Sequence, residues 1–342
     1  MATPSSNSPL ISVVIPTYNR PHYLREAIAS ALAQTYTNIE VLVRDNASGD
    51  ETRRVVMSFR DPRIHYHRHD SNVGQTRNVI AGCIATRGKY VANLHDDDVW
   101  EPDFLAKLVR PLEENAAVAI AFSDHYIIDA EGALDPAMTR KNTRHWKRHM
   151  LTPGLHAPLH RIAVVDMSIP LSMASLMRRS AIDWSDVPDL PSCYDVWLMY
   201  LVSRDGQAGY YVPERLTRYR VHSGSETAIG RMRVDQGFVM CCDHMLVDER
   251  MRSVWPEIQL ELARACADLG LTLARQGRTA EGRPYLRRSL QLRWTLRGLT
   301  LYGMSFSPSL LSGRNGISIQ KSPAPALGIP GNKRSLTTAR TE

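Results

Sequence analysis

The chain has 342 residues and a net charge of +7, room for one large α/β domain with an appendage or for two modest domains. No stretch approaches the ~20 consecutive apolar residues of a membrane span, and residues 1–9 lack the basic start and apolar core of a secretory signal. Five cysteines (Cys83, Cys193, Cys241, Cys242 and Cys266) without CxxC spacing argue against a disulfide framework or a zinc site and fit a reducing cytoplasm.

Over the first 130 residues short apolar runs alternate with amphipathic stretches. Residues 11–15 stop at Pro16 and 39–43 stop at Arg44-Asp45-Asn46; a weaker run at 63–67, then 90–94 and 118–122, follow. Runs this short, with few polar residues, predict strands buried on both faces of a parallel sheet. Helices are predicted between them at 23–33, 51–59, 75–86 and 102–114, with Gly88 stopping the third and Pro102 opening the fourth. Such alternation gives an α/β fold with a doubly wound, mostly parallel sheet and right-handed crossovers. Residues 132–170 dissolve into Pro, His, Arg and Met and read as a long loop near the site. Strands return at 172–178 and 209–212 around a helix at 195–203. Beyond about Ser225 the texture is helical, with 261–274 and 280–292 as a hairpin turning at Gly277. Residues 1–9 read as flexible, and 306–342, rich in Ser, Pro, Gly and Lys, as a disordered tail.

The charge is uneven. Residues 1–229 carry 25 Lys or Arg against 26 acidic residues, whereas 230–342 carry 17 against 9, so the basic excess lies in the last third. It serves either as a solvated helical surface or as attraction to an anionic membrane or acceptor. No basic patch is interleaved with aromatics, so no nucleic-acid partner is expected.

Ligands of open α/β sheets bind outside the carboxyl ends of the strands. Three polar turns should therefore converge: Pro16-Thr17-Tyr18-Asn19-Arg20, Asp45-Asn46-Ala47-Ser48-Gly49-Asp50, and His95-Asp96-Asp97-Asp98. An aspartate at a strand end can accept a base N–H, or cap a helix, and a tyrosine can stack on the base. Three adjacent carboxylates repel one another and are costly to gather without a cation. Carboxylate oxygens suit Mg²⁺ or Mn²⁺ bridging to phosphates, or else form a solvated acidic turn. There is no GxGxxG after the first strand and no GxxxxGK[ST], so common dinucleotide binding and a P-loop are unsupported. His65, His67 and His69 alternate along a predicted strand and read as surface residues.

Four segments resemble the inverting glycosyltransferase family 2, which has the GT-A fold: ISVVIPTYNR at 11–20, EVLVRDNASGD at 40–50, NVGQTRN at 72–78 and LHDDDVWEPDFL at 94–105. The resemblance is dense over 10–125, looser over about 170–227, and absent beyond. It implies that Pro16, Thr17, Tyr18 and Arg20 line a nucleotide pocket, that Asp45 contacts the base beside Asn46, and that Arg77 helps hold the nucleotide. Asp97 matches the principal metal-binding aspartate, with Asp96 and Asp98 beside it. His95 stands where many members have Asp and could reach a ribose or phosphate oxygen. In PSCYDVW at 191–197, Asp195 falls where the family places its general base. RYRVH at 218–222 resembles the closing strand, where Arg220 and His222 could contact phosphate.

The resemblance thus implies a nucleotide-diphosphate sugar donor, UDP preferred, a divalent cation (Mn²⁺ or Mg²⁺), and a glycan or lipid-linked acceptor in polysaccharide synthesis. Two alternatives are a nucleotidylyltransferase on the same fold, which usually has a Gly- and Arg/Lys-rich loop absent at 17–21, and a non-catalytic nucleotide-sugar-binding scaffold. The expected layout is a GT-A domain at 10–227, with a nucleotide and metal half (10–130) and an acceptor half (131–227). A helical appendage at 228–305, with no catalytic group, would bring a cytoplasmic enzyme to the inner face of the membrane.

Overall fold

The computed structural model describes residues 8–224 and 231–306. The expected flexible start (up to residue 7) and nearly all of the expected disordered tail lie outside the described residues, as does the expected boundary at 227/228.

The first half alternates strictly: β1 (Ile11–Thr17), α1 (Pro21–Leu32), β2 (Ile39–Asp45), α2 (Asp50–Ser58), β3 (Ile64–Arg68), α3 (Gln75–Ile84) and β4 (Tyr90–Asn93). A two-residue β5 (Val99–Trp100), α4 (Phe104–Glu114) and a long β6 (Val118–Ile128) follow. Then come α5 (Pro136–His145), β7 (Gly154–His156), β8 (Ser175–Arg178), α6 (Tyr194–Ser203) and β9 (Ala208–Arg220). The strand order is β3-β2-β1-β4-β8-β6-β9-β5, with β7 also on β9. β1 to β4, β6 and β9 run one way, while β5, β7 and β8 run against them.

Period-two alternation along β1 sends Ile11, Val13 and Ile15 into one core and Val14 into the other. The first core is closed by Leu24 and Ile28 of α1 and by Leu105, Leu108 and Leu112 of α4. The second is closed by Val79, Ile80 and Cys83 of α3 and by Trp197, Leu198 and Leu201 of α6. The register sets Thr17 beside Asp45 and Val14 beside Asn93, so the turns leaving β1, β2 and β4 emerge on one edge.

One expectation is corrected. The stretch 132–170 is not plain loop: α5 lies within it, capped by Asp135 accepting from Met138 N–H. It is tied down at Asp124, which accepts from Thr143 Oγ1 (2.8 Å) and Arg148 Nε (2.7 Å) and faces Arg215. The helical third packs on the sheet domain. It comprises α7 (Arg231–Met245), α8 (Trp255–Arg275), α9 (Thr279–Leu292) and α10 (Leu296–Met304). Cys241, Cys242 and Met245 of α7, and Ile258, Leu262, Cys266 and Leu269 of α8, share the core of α6. Only the distal end has its own cluster: Leu271, Ala274, Leu286 and Leu301. The α8–α9 hairpin turns at Gly277 (φ +80°), and Gly270 and Gly282 let its backbones touch, since a Cβ at Gly282 would lie 2.5 Å from Gly270 O. Among the described residues no helix is long and apolar enough to cross a membrane. All five cysteines are buried, and none forms a disulfide.

Candidate active site

The three turns do converge. Thr17 Oγ1 donates to Asp96 Oδ2 (2.7 Å), and Arg20 Nη1 donates to Asp96 Oδ1 (3.1 Å) and Asp97 Oδ2 (2.8 Å). His222 Nε2 lies 3.0 Å from the same Asp97 oxygen, so Arg20 and His222 flank it from opposite ends of the sequence. Arg20 also donates to Gly224 O, drawing the segment after β9 over the site. The first two turns are stitched together by Asn19 (φ +54°), whose N–H donates to Ser48 Oγ and whose Oδ1 accepts from Gly49 N–H. Asn46 Oδ1 accepts from Val73 N–H and its Nδ2 donates to Asn72 Oδ1, which fixes the 72–74 turn. Pro16 is buried within β1, while Tyr18 stands 46% exposed at its end.

Asp45 is fully buried, its Oδ1 accepting from Ser48 N–H and its Oδ2 from Tyr66 OH. Each oxygen keeps a further lone pair.

The fit of the aspartate run to a divalent cation rests on its donor set. One ligand atom each from His95, Asp97 and Asp98 lie within 4.8 Å of one another. Asp98 Oδ1 accepts from Arg220 N–H (2.9 Å), but its enclosed Oδ2 has no partner. Burial, then the charge of Asp97, pushes Asp96 up to about 7 and Asp98 well above the usual carboxylate range. Burial also pushes Asp97 up, but the His222 hydrogen bond and the Arg20 charge outweigh it and leave Asp97 below that range. Burial lowers His95, favouring the neutral imidazole that ligates metals. An oxygen-rich set with one imidazole and an unsatisfied buried carboxylate oxygen suits Mn²⁺ or Mg²⁺.

Asp195 occupies the first turn of α6, and burial raises it above the usual carboxylate range. The residue before it, Tyr194, reaches His95 Nε2 with its hydroxyl (2.5 Å) and donates to Ser172 Oγ (3.2 Å). The α6 turn is thereby tied to the aspartate loop.

Two expected residues stand otherwise. Arg77 is exposed and paired with Asp189, away from the aspartate loop's bonds. Arg220 is 1% exposed and wholly engaged by protein: Nε donates to Asp97 O (2.8 Å), Nη1 to Ala130 O (3.1 Å) and Nη2 to Glu26 Oε2 (2.6 Å), with its guanidinium over the Tyr23 ring. These bonds brace the aspartate loop from within the protein. His65 and His67 are exposed on the edge strand β3, as expected, whereas His69, just beyond its end, is half-buried with Nε2 enclosed.

Tyr23, Glu26, Tyr66 and Tyr194 were not singled out by the sequence. For Tyr194 the signal was its place beside Asp195; Tyr66 sits on a weak strand whose pairing with Val43 no local pattern reveals.

Polar turns gathered at the sheet switch point around a cluster of buried carboxylates are the arrangement of a ligand-binding α/β domain. Residues 12–181 match Glycosyl transferase family 2, and the chain carries a domain of that family. An uncharacterized glycosyltransferase of Rickettsia prowazekii is 31% identical over 226 residues, 64% of this chain and 66% of the relative, just under two thirds of its length. WcaA of Escherichia coli, named for colanic acid biosynthesis, is 31% identical over 133 residues, 38% of this chain and 48% of the relative. S. aureus TarS 1-349, solved with UDP-GlcNAc, has a TM-score of 0.63 at 15% identity, over 88% of both chains. The mannosyltransferase PcManGT from Pyrobaculum calidifontis, solved with GDP-Man and Mn²⁺, has a TM-score of 0.55 at 16% identity, over 90% of this chain and 87% of its own. These likenesses establish the GT-A fold.

Proposed function

We propose that the chain is an inverting glycosyltransferase that moves a sugar from a nucleoside-diphosphate sugar, UDP preferred, to a hydroxyl of a glycan or lipid-linked acceptor. Its setting would be surface polysaccharide synthesis at the cytoplasmic face of a membrane. The observation that carries the reading is the aspartate loop, in which Asp98 Oδ2 is enclosed without a partner beside His95 and Asp97. Asp97 and Asp98, with His95 and Asp96 beside them, would hold Mn²⁺ or Mg²⁺. When bound, that ion would supply positive charge to the leaving diphosphate.

The chain's own residues carry the remaining roles. Asp45 accepts a base N–H through a spare lone pair while Tyr66 and Ser48 hold it still. Tyr18, exposed at the mouth of the pocket, stacks on the base. Arg20 holds Asp96 and Asp97 in place and adds charge near the phosphates. Asp195 takes the acceptor hydroxyl's proton as that oxygen attacks the anomeric carbon opposite the diphosphate, giving inversion. Its raised pKa suits a group that must hold a proton after the attack.

The test is calorimetry of UDP binding with Mn²⁺ and with EDTA, in wild type and Asp97→Ala. Binding should need the metal and weaken by at least about tenfold in the variant. Equal affinity under all four conditions would remove the ion from the site.

A further inference from the structure

The last helix of the described chain has two apolar faces, of which the protein uses one. Thr295 caps α10 by accepting from Gly298 N–H. Leu301 is buried against Leu271, Ala274 and Leu286, and Tyr302 and Met304 pack on the same cluster. Leu296 and Leu299, three apart and on the opposite side, are 73% and 46% exposed. Gly303 extends that side, and a Cβ there would meet nothing within 4 Å. Trp294, just before the helix, is 67% exposed. A solvent-facing Trp and two exposed Leu thus fall within six residues at the start of one helix, a local concentration of apolar surface.

The surroundings are uniformly basic. Residues 270–306 contain seven arginines and one carboxylate, Glu281. Glu281 is taken by Arg278, and Arg288 pairs with Asp243. Arg287 and Arg293 are exposed, and no carboxylate partners them among the described residues. This charge selects among occupants. A second copy would press the same arginines together across a twofold axis. Residues 307–342 carry five Lys or Arg against one acidic residue, Glu342, and so share the sign of the patch. An anionic bilayer offers headgroups for the arginines, an acyl boundary for Leu296 and Leu299, and the interfacial depth that a Trp ring prefers.

We infer that Trp294, Leu296 and Leu299, flanked by Arg287 and Arg293, form a membrane-docking face that seats the α10 end of the enzyme on an anionic lipid surface. The inference deepens the proposed setting at a membrane and rests on that part of it.

The full-length chain, without donor, should co-sediment with phosphatidylcholine vesicles containing about one-third phosphatidylglycerol and not with phosphatidylcholine alone. Leu296→Ser/Leu299→Ser should weaken this binding about tenfold or more, as should Arg287→Gln/Arg293→Gln. Wild-type binding should fall as salt is raised from about 0.1 to 0.5 M. Mn²⁺-dependent UDP binding in these variants should match wild type, which separates a failure of docking from a failure of the catalytic reading. Vesicle binding unchanged in the Leu double variant overturns the inference, as does wild type that binds neither vesicle. Sedimentation showing a wild-type dimer that the Leu variant dissolves would make the patch a contact between copies and overturn it equally.

Discussion

Replacing Arg220 with Met keeps the length of the side chain and removes its charge and donors. Four acceptors lose a partner: Asp97 O at 2.8 Å, Ala130 O at 3.1 Å, Glu26 Oε2 at 2.6 Å, and Asp129 O at 3.4 Å, which keeps the Gly132 N–H. Stacking over Tyr23, at 4.7 Å, goes with them. The Glu26 carboxylate is 41% exposed and recovers water, so its loss costs about 1 kcal/mol or less. The Asp97 and Ala130 carbonyls lie beside a side chain that is only 1% exposed, and each costs about 1–3 kcal/mol when left unpaired. The total is therefore about 2–7 kcal/mol, which spans the range of about 3–5 kcal/mol for breaking a buried charged pair. The backbone bond from residue 220 to Asp98 survives, so the loop should loosen at Asp97 first. Urea unfolding should show the loss of stability. Calorimetry at a temperature where the variant is folded should show Mn²⁺–UDP affinity reduced about tenfold, since Asp97 is no longer anchored. A variant with stability within about 0.5 kcal/mol of wild type and unchanged affinity would show that Arg220 braces nothing, and the phosphate-contact role would return.

Two further outcomes are expected. Burial, then the Arg148 charge, holds His125 down to about 3; the unfolded chain takes that proton as pH falls through about 6.5 and the folded chain does not. Stability is therefore full above that pH and declines by about 1.4 kcal/mol per unit below it. His125→Leu should make the decline between pH 6.5 and 5 shallower in urea melts, whatever its stability at pH 7.5, and parallel slopes would contradict the assignment. In Gly237→Ala the new Cβ would sit 2.5 Å from Ser192 O, a backbone atom three residues before Asp195, so the α6 turn must shift. Sugar transfer should fall about tenfold while Mn²⁺–UDP binding holds; transfer at the wild-type rate would separate α7 from catalysis.

The parallel half was legible because its signals are local. Runs such as 11–15 and 39–43 bury both faces, and each ends at a polar turn that the sheet then gathers on one edge. The part missed depends on partners far away in sequence. β9 was expected as two pieces, a strand at 209–212 and the closing strand at 218–222, with Pro213 and Glu214 between them; the structure joins them into one strand. Register shifts around Asp124 in β6 absorb those residues and let pairing resume to Arg220. α5 carries no apolar stripe to detect: its buried residues are Thr139 and Thr143, held by hydrogen bonds to the Ile127 N–H and Asp124. Arg220 could be placed near the aspartates from its strand, but only Glu26 and Tyr23, two centuries of sequence away, decide that it is locked in protein.

The helical third was read as a separate attachment because it carries no catalytic constellation. Its packing gives it a second part to play. α6 has Tyr194 and Asp195 at the site and Trp197, Leu198 and Leu201 in the core closed by α7 and α8. The joint is tight: Cys241 Sγ reaches Cys193 O, Gly237 admits the Ser192 carbonyl, and Tyr200 OH donates to Asp248 beyond α7. Cys193 itself sits at φ +64°, a conformation that a non-glycine residue holds only where its surroundings impose it. The helices beyond residue 230 therefore fix the angle at which the Asp195 turn meets His95. Continuous packing then links Asp195 at the start of α6 to the basic, apolar-tipped face at α10. An acceptor held at a lipid surface would be presented to Asp195 through packed helices, with no flexible tether among the elements from α7 to α10.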